Sequence, residues 1–302
     1  MKRFFALSRT SHGVLDLAAP AFCALLWSGG FPPITVILLS IFTAFAAYTS
    51  IYALNDLVGI AVDKEKFTGN GINPGYSVEA SAERYPLAQN LISYKGGLLW
   101  MGTWLILALI GSYFLNPTIV FILLAAAVLE VIYCLLLKVT YLRTLVSGLV
   151  KVSGPISAVY VVDPSPAPVL LLLIFLWLFM WEIGGQNVPA DWNDTVEDKR
   201  VNAKTIPIHF GPEKAGLIVL GTLSFTTIAS AFLPMASPLN LGVPYIVLSL
   251  IIGVYFLLRP AYELYKLKEG RYAGKLFDSA SFYPMAQFAL ITVFVLLSKF
   301  TG

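Results

Sequence analysis

The chain has 302 residues, of which 58% are hydrophobic and only 12% are charged. Soluble globular proteins carry about a quarter charged residues, so this composition excludes that class and indicates an integral membrane protein. The formal net charge of +3 is too small and too dispersed to predict a nucleic-acid-binding surface. Cys23 and Cys134 lie inside apolar runs, and their spacing predicts neither a disulfide framework nor a metal site.

Apolar runs close to the length that crosses a bilayer, about 20 residues, predict nine transmembrane helices. The charge-free runs 96–129 and 215–258 are each too long for one helix, so each is expected to contain a turn. The predicted fold is therefore an all-α, polytopic membrane protein, with nine helices around a central cavity in a single transmembrane domain over 1–302. The predicted spans lie near 14–31, 33–54, 96–115, 118–137, 143–162, 167–189, 214–233, 242–258 and 280–298.

The basic residues predict the orientation of these spans. With nine helices, Lys and Arg gather on the side that holds the N-terminus and the loops after the even-numbered spans, and only Lys151 and Lys299 depart from this pattern. The positive-inside rule makes that side cytoplasmic. Two long polar segments, about 55–95 and 190–213, are then expected to form cytoplasmic cap loops over a site.

A row of polar residues begins where the second predicted span ends. If the helix continues, Asn55, Gly59 and Asp63 repeat every fourth residue and share one face, with Asp56 beside them. An acidic side chain costs about 2.5–3.5 kcal/mol at the middle of a bilayer. These residues are therefore expected to face a water-accessible cavity and not lipid.

A matching row follows the sixth predicted span, with offsets of four, three and four residues. Carboxylate and amide oxygens are ligands for Mg²⁺, which proteins commonly share with substrate phosphates. Two such rows predict a Mg²⁺ site for a diphosphate substrate; in the alternative, the acids are solvated helix-end residues neutralised by neighbouring basic residues. The predicted metal ligands are Asn55, Asp56, Asp63, Asn187, Asp191, Asp194 and Asp198.

The two acidic motifs resemble those of the UbiA superfamily of intramembrane prenyltransferases, which have the forms NDxxDxxxD and DxxxD. Asn55, Asp56 and Asp63 match the first form, and Asp194 and Asp198 match the second. The resemblance covers most of the chain, and the second motif is its most specific part.

Three flanking elements add to the resemblance. The segment 204–211 (KTIPIHFG) is similar to the run that follows the family's second motif. The segment 84–87 (RYPL) resembles the family's Arg-Pro-Leu element, with an extra tyrosine and a long spacing from Asp63. The residues that resemble those around the connection between the fourth and fifth spans are Tyr133, Lys138 and Thr144.

The resemblance implies that Mg²⁺ and cationic side chains promote ionisation of an isoprenyl diphosphate inside the membrane. The prenyl group would then pass to a lipophilic acceptor, aromatic or otherwise. The implied catalytic residues are Asp63, Asp194, Asp198, Lys138 and Lys151. The implied substrate-binding residues are Asn55, Asp56, Gly59, Arg84, Tyr133, Arg143, Asn187, Asp191, Lys199 and Lys204.

Glu130, Lys151 and Glu182 are charged residues that lie well inside predicted spans. Lys151 needs a partner such as phosphate or aspartate, unless its side chain extends to the cytoplasmic interface. Glu130 and Glu182 lie beside the motifs, and each is interpreted either as a proton acceptor or as one half of a structural pair, with pairing favoured.

Gly59 departs from the family pattern, which usually has an aspartate at this position. The glycine makes the first motif less negative and is expected to open space beside the allylic end of the substrate. Because the superfamily's terpene-cyclase branch tolerates glycine here, intramolecular cyclisation of the same cation is the alternative function. A transporter that uses the acidic residues as a cation path is a third, weaker hypothesis.

Overall fold

The computed structural model describes residues 1–66 and 85–301, and within these ranges every regular element is a helix. Short helices precede the first long one, and π-helical turns interrupt two of the later helices. The α-helices are α1 (Lys2–Leu7), α2 (Thr10–Asp16), α3 (Ala18–Ser28), α4 (Ile34–Lys66), α5 (Tyr94–Leu115), α6 (Pro117–Leu135), α7 (Arg143–Val162), α8 (Pro168–Trp181), α9 (Val188–Asn193), α10 (Thr195–Arg200), α11 (Ile206–Ser230), α12 (Gly242–Gly253), α13 (Arg259–Leu267) and α14 (Gly270–Thr301). The π-helices are Glu182–Asn187 and Val254–Leu258, and the 3₁₀ turns are Leu136–Lys138 and Leu233–Ala236.

Seven helices in the described ranges are long and apolar enough to cross a membrane. Each corresponds to one of the nine predicted spans. The two predicted spans without such a helix are 14–31 and 214–233, because both carry breaks or charges. These seven spanning helices are Ile34–Lys66, Tyr94–Leu115, Pro117–Lys138, Arg143–Val162, Pro168–Asn193, Gly242–Leu267 and Gly270–Lys299.

Local sequence explains both exceptions. The first segment is divided at Leu17 into α2 and α3, and α3 ends at Gly29, whose φ of +63° suits glycine. The other segment, the predicted span 214–233, lies mostly in α11. Gly211 of this helix has a φ of +76° and begins a kink before Pro212. Glu213 and Lys214 then lie in the first turn after the kink, which lowers the mean hydropathy of the segment.

The helix α4 continues through the first acidic motif to Lys66. The conditional prediction that Asn55, Gly59 and Asp63 lie on a continued helix is therefore confirmed, and residues 55–66 of the predicted cap loop 55–95 are helical. Arg84, predicted to bind substrate, lies outside the described residues. In the second cap segment, α9 and α10 carry the acidic residues, so 190–213 is largely helical.

The largest apolar core joins α3, α8, α11, α12 and α14. Trp177, Trp181 and Tyr283 are among its fully buried side chains. Trp177 Nε1 donates a hydrogen bond to Tyr283 Oη at 3.0 Å, so the polar atoms of both rings are satisfied inside the bundle. This packing fixes α8 and the π-helix that follows it, and Glu182, Gln186 and Asn187 of that π-helix line a cavity.

Candidate active site

The π-helix Glu182–Asn187 places the second acidic row. On one side its backbone is packed tightly, because a β-carbon at Gly184 would lie 2.2 Å from Thr222 Oγ1 and one at Gly185 would lie 2.9 Å from Ala280 Cβ. Only glycine permits this approach of α11 and α14. The side chains of the opposite side, including Glu182 and Asn187, line the cavity. Short π-helical insertions often occur at functional sites.

Asn187 and Asp191 belong to a buried network with two residues from α6 and α7. Asn187 Nδ2 donates to Tyr133 Oη at 2.9 Å, and Tyr133 Oη also accepts a hydrogen bond from Arg143. The guanidinium of Arg143 lies 4.1 Å from the centre of the Tyr133 ring, and its Nη1 is 3.5 Å from Asp191 Oδ1. Four residues that the sequence predicted to bind substrate are thus brought together.

The first acidic row contacts the guanidinium of Arg9, which the sequence did not predict to be a site residue. Arg9 Nη2 lies 3.4 Å from Asn55 Oδ1 and 3.4 Å from Asp56 Oδ1. Asn55 also donates from Nδ2 to Glu130 Oε1 at 2.5 Å. Arg9 has a left-handed backbone conformation with φ of +45° between α1 and α2. Nothing in the N-terminal sequence distinguishes this arginine from the other basic residues near it.

An ion pair joins the ends of the two motif segments. Lys66 Nζ, at the end of α4, lies 2.7 Å from Asp198 Oδ1 on α10, and both side chains are buried. Arg200 Nη1 donates to the carbonyl oxygen of Lys66 at 3.1 Å. Burial raises the pKa of the Asp198 carboxyl, while the charge of Lys66 acts in the opposite direction. Asp198 is thus paired with a neighbouring lysine, as one part of the alternative interpretation predicted, but its side chain is buried and not solvated.

Asp63 and Asp194 lie close in sequence to this ion pair. Asp63 precedes Lys66 by three residues on α4, and Asp194 precedes Asp198 by four residues. Asp63 is buried, and Asp194 precedes α10, where its Oδ1 accepts a hydrogen bond from Asn193 Nδ2 at 3.1 Å. A β-carbon at Gly59 would lie 3.1 Å from Asp63 Oδ2. The space at Gly59 is therefore occupied by the Asp63 carboxylate, and Gly59 is not among the residues that line the cavity. This corrects the expectation that the glycine opens room beside the substrate.

Three of the predicted cationic residues have their side chains at the surface. Lys138 Nζ is 2.6 Å from Glu65 Oε2, and both side chains are substantially exposed. Lys199 and Lys204 are exposed, and the backbone nitrogen of Lys204 donates to Leu137 O at 2.7 Å. These positions lie at the ends of the motif helices, but the structure does not bring the three ammonium groups into the buried network.

Lys151 lies within α7, and its side chain is 14% exposed. Its Nζ is 2.7 Å from the carboxylate of Asp16 and 3.3 Å from Tyr52 Oη. Asp16 supplies the aspartate partner that an ammonium inside a span was predicted to need. Lys151 nevertheless lines the cavity.

The cavity has a volume of about 450 Å³ and runs along α4. Asn55 lies at its polar end and Val36 at its apolar end, which corresponds to roughly 28 Å of helix. Arg9, Tyr133 and Asn187 line the polar end, whereas the remaining wall is mostly aliphatic and aromatic. A long apolar chain with an anionic head matches this distribution.

The donor atoms at the polar end fit a hard cation that takes part of its coordination shell from a ligand. Within residues 1–66 and 85–301, no three carboxylate, histidine or cysteine side chains are grouped closely enough to hold a metal by themselves. Asn187 Oδ1 and Asp191 Oδ2, however, are buried without a hydrogen-bond partner among those residues. Unsatisfied amide and carboxylate oxygens suit Mg²⁺, which keeps water or phosphate ligands besides protein oxygens.

Comparison with known proteins decides the family. Residues 17–290 match the model of the UbiA prenyltransferase family. The chain belongs to the UbiA prenyltransferase family. It is 26% identical over 255 residues to the digeranylgeranylglyceryl phosphate synthase of Pyrococcus horikoshii, covering 83% of this chain and 84% of that protein. The resemblance inferred from the acidic motifs is thereby confirmed, and the chain is a UbiA-type prenyltransferase.

Two solved structures share the fold of this UbiA-family chain. A UbiA homolog from Aeropyrum pernix K1 has a TM-score of 0.73 at 16% identity, covering 94% of this chain and 98% of that one. A UbiA homolog from Archaeoglobus fulgidus, bound to DMAPP and Mg²⁺, has a TM-score of 0.68 at 16% identity, covering 96% and 99%. The transporter hypothesis finds no support in these comparisons.

Proposed function

We propose that this UbiA-type enzyme catalyses Mg²⁺-dependent ionisation of an isoprenyl diphosphate and transfers the prenyl group to a lipophilic acceptor. The observation that carries this proposal is the cavity, whose polar end is formed by the two motif helices and whose remaining length is apolar. A diphosphate placed at Asn55 and Asn187 would direct its isoprenoid tail along α4 toward Val36. The A. fulgidus structure bound to DMAPP and Mg²⁺ supports the same ligand class.

The side chains of the two motif segments and of the neighbouring buried network have distinct roles in this proposal. Asp63, Asp194 and Asp198 would hold Mg²⁺, with Asn187 and Asp191 completing the protein ligands. When bound, Mg²⁺ supplies Lewis-acid stabilisation of the leaving diphosphate. The residues proposed to orient the diphosphate through charge or hydrogen bonds are Arg9, Asn55, Asp56, Tyr133 and Arg143.

The acceptor is proposed from the relative. The P. horikoshii protein is named for a glyceryl phosphate that carries two geranylgeranyl groups. A glyceryl phosphate with one such chain has a free hydroxyl as nucleophile and an apolar tail that reaches the site from the bilayer. We therefore select geranylgeranylglyceryl phosphate as the first acceptor to test.

The test uses purified protein with Mg²⁺ and prenyl diphosphates of graded chain length, with and without the acceptor. We expect diphosphate release coupled to a prenylated acceptor, and loss of both in chelator. A cyclic hydrocarbon or terpene alcohol formed without acceptor would instead identify a cyclase. Absence of any diphosphate consumption under all conditions would contradict both functions.

The nine-span topology and the cytoplasmic position of the site are also proposals, supported by the distribution of Lys and Arg. We expect Val196→Cys, at an exposed position on α10, to react with an impermeant thiol reagent only from the cytoplasmic side. Ser165→Cys, exposed between α7 and α8, should react only from the opposite side. Both variants are made without Cys23 and Cys134, and labelling of the two positions from the same side would reject the topology.

Gly59→Asp tests the aspartate that is missing from the first acidic motif. For a transferase, the new carboxylate beside Asp63 is expected to leave the product unchanged and to tighten the apparent affinity for Mg²⁺, because it adds a ligand outside the cavity. Because Gly59 does not line the cavity, a cyclase should likewise keep its product, so the product that wild type forms without acceptor separates the two functions. The product profiles of wild type and variant are compared with the same diphosphate, and a cyclic wild-type product would contradict the transferase.

A further inference from the structure

A second polar layer lies deeper in the cavity than the acidic motifs. Asp16 accepts a hydrogen bond from Tyr52 Oη at 2.5 Å and one from Lys151 Nζ at 2.7 Å. Glu182 lies on the neighbouring wall, where its Oε1 accepts a hydrogen bond from Ser147 Oγ at 2.7 Å. Tyr52, Ser147, Lys151 and Glu182 all line the cavity. The role of this layer is not explained by binding of the diphosphate.

Within this layer, Glu182 retains an unused hydrogen-bonding atom. The residue is only 6% exposed, and its Oε2 has no hydrogen-bond partner among the described residues. A buried polar atom left without a partner costs about 1–3 kcal/mol, and more when the group is charged. Because Glu182 lines the cavity, a ligand with a hydroxyl donor there would satisfy Oε2.

The position of Glu182 relative to the diphosphate end is set by the π-helix. Glu182 and Asn187 begin and end this segment, and both line the cavity. Glu182 precedes Asn187 by five residues, which is about one turn of a π-helix. A diphosphate at Asn187 would therefore place the reacting carbon of the prenyl chain between its leaving group and the level of Glu182. An acceptor hydroxyl bound to Oε2 would meet that carbon from the side away from the diphosphate.

We propose that Glu182 binds the hydroxyl group of the acceptor and accepts its proton during prenyl transfer. This inference rests on the transferase function proposed above. The bond between prenyl carbon and diphosphate oxygen breaks, and its electron pair leaves with the diphosphate. A lone pair of the acceptor oxygen forms the new carbon–oxygen bond, and the proton of the hydroxyl passes to Oε2 of Glu182. The acceptor class is therefore an alcohol, and the product is an ether.

The test compares Glu182→Gln with wild type, measuring prenylated acceptor and diphosphate release separately. General-base catalysis contributes about 10²–10⁴-fold, so we expect transfer to fall by on the order of a hundredfold or more. Slow diphosphate release without acceptor should stay within about twofold of wild type, because the amide leaves the diphosphate end unchanged. Glu213→Gln, the same substitution at an exposed site, should leave both rates unchanged.

Three outcomes would overturn the inference. Wild-type transfer in Glu182→Gln would show that the carboxylate is not needed, and equal loss of transfer and release would show a structural role. If Glu182→Gln does not fold, Glu182→Asp replaces it, and transfer by this shorter carboxylate at the wild-type rate would also overturn the proposal. Failure of the wild-type enzyme to prenylate any alcohol would instead overturn the transferase function itself, so the two failures are distinguishable.

Discussion

Asp63→Asn and Asp194→Asn are each expected to reduce diphosphate release by on the order of a hundredfold or more, because each removes one negative charge from the proposed Mg²⁺ site. In Asp194→Asn, the new amide oxygen can still accept the hydrogen bond that Asn193 donates to Asp194 Oδ1. The N-terminal end of α10 should therefore keep its conformation. The measurement is release of diphosphate at saturating Mg²⁺, followed by a titration of Mg²⁺ for each variant.

A control separates lost catalysis from a general effect of charge. Glu213→Gln removes a carboxylate whose side chain is 71% exposed and whose ion-pair partner, Lys268, is 4.0 Å away. Its rate should equal that of wild type. Ordinary turnover by both aspartate variants, or full wild-type activity in chelator, would contradict the Mg²⁺ mechanism.

Lys66→Met is expected to destabilise the protein by about 3–5 kcal/mol, because it leaves the buried Asp198 carboxylate without its ammonium partner. The double variant Lys66→Met/Asp198→Asn should recover much of this loss, since no uncompensated charge then remains. The apparent melting temperature of detergent-purified protein measures both effects.

The control for Lys66→Met is Lys64→Met, which changes an exposed lysine on α4 two residues before Lys66. Its melting temperature should stay close to that of wild type. Equal destabilisation by the single and double variants would show that the Lys66–Asp198 pair contributes packing and not charge compensation.

The sequence predicted most of the fold because bilayer thickness limits the length of apolar helices. The seven spanning helices were found in this way. The helical spacing of Asn55, Gly59 and Asp63 also placed the first motif correctly, since α4 has no helix-breaking residue before Lys66. The breaks at Leu17 and Gly211 were not predicted, because mean hydropathy does not report backbone conformation.

Partners of individual charges were harder to predict than their locations. The exposed cation Lys138 and the buried cation Arg143 look alike in sequence, yet only Arg143 enters the buried network. Arg9 reaches Asn55 because the backbone turns between α1 and α2, and this turn has no clear sequence signal. Such long-range pairs depend on tertiary packing, which a single sequence does not specify.

The ion pair between Asp16 and Lys151 has a consequence for biogenesis. In the proposed topology, Asp16 enters the membrane at the cytoplasmic end of the first span, before Tyr52 and Lys151 have been synthesised. Lys151 is synthesised 135 residues later. The set of partners around the Asp16 carboxylate is therefore complete only after the fifth span has left the ribosome. Truncated nascent chains that end before Lys151 should retain the N-terminal segment in the bilayer less completely than chains that include α7, as measured by carbonate extraction.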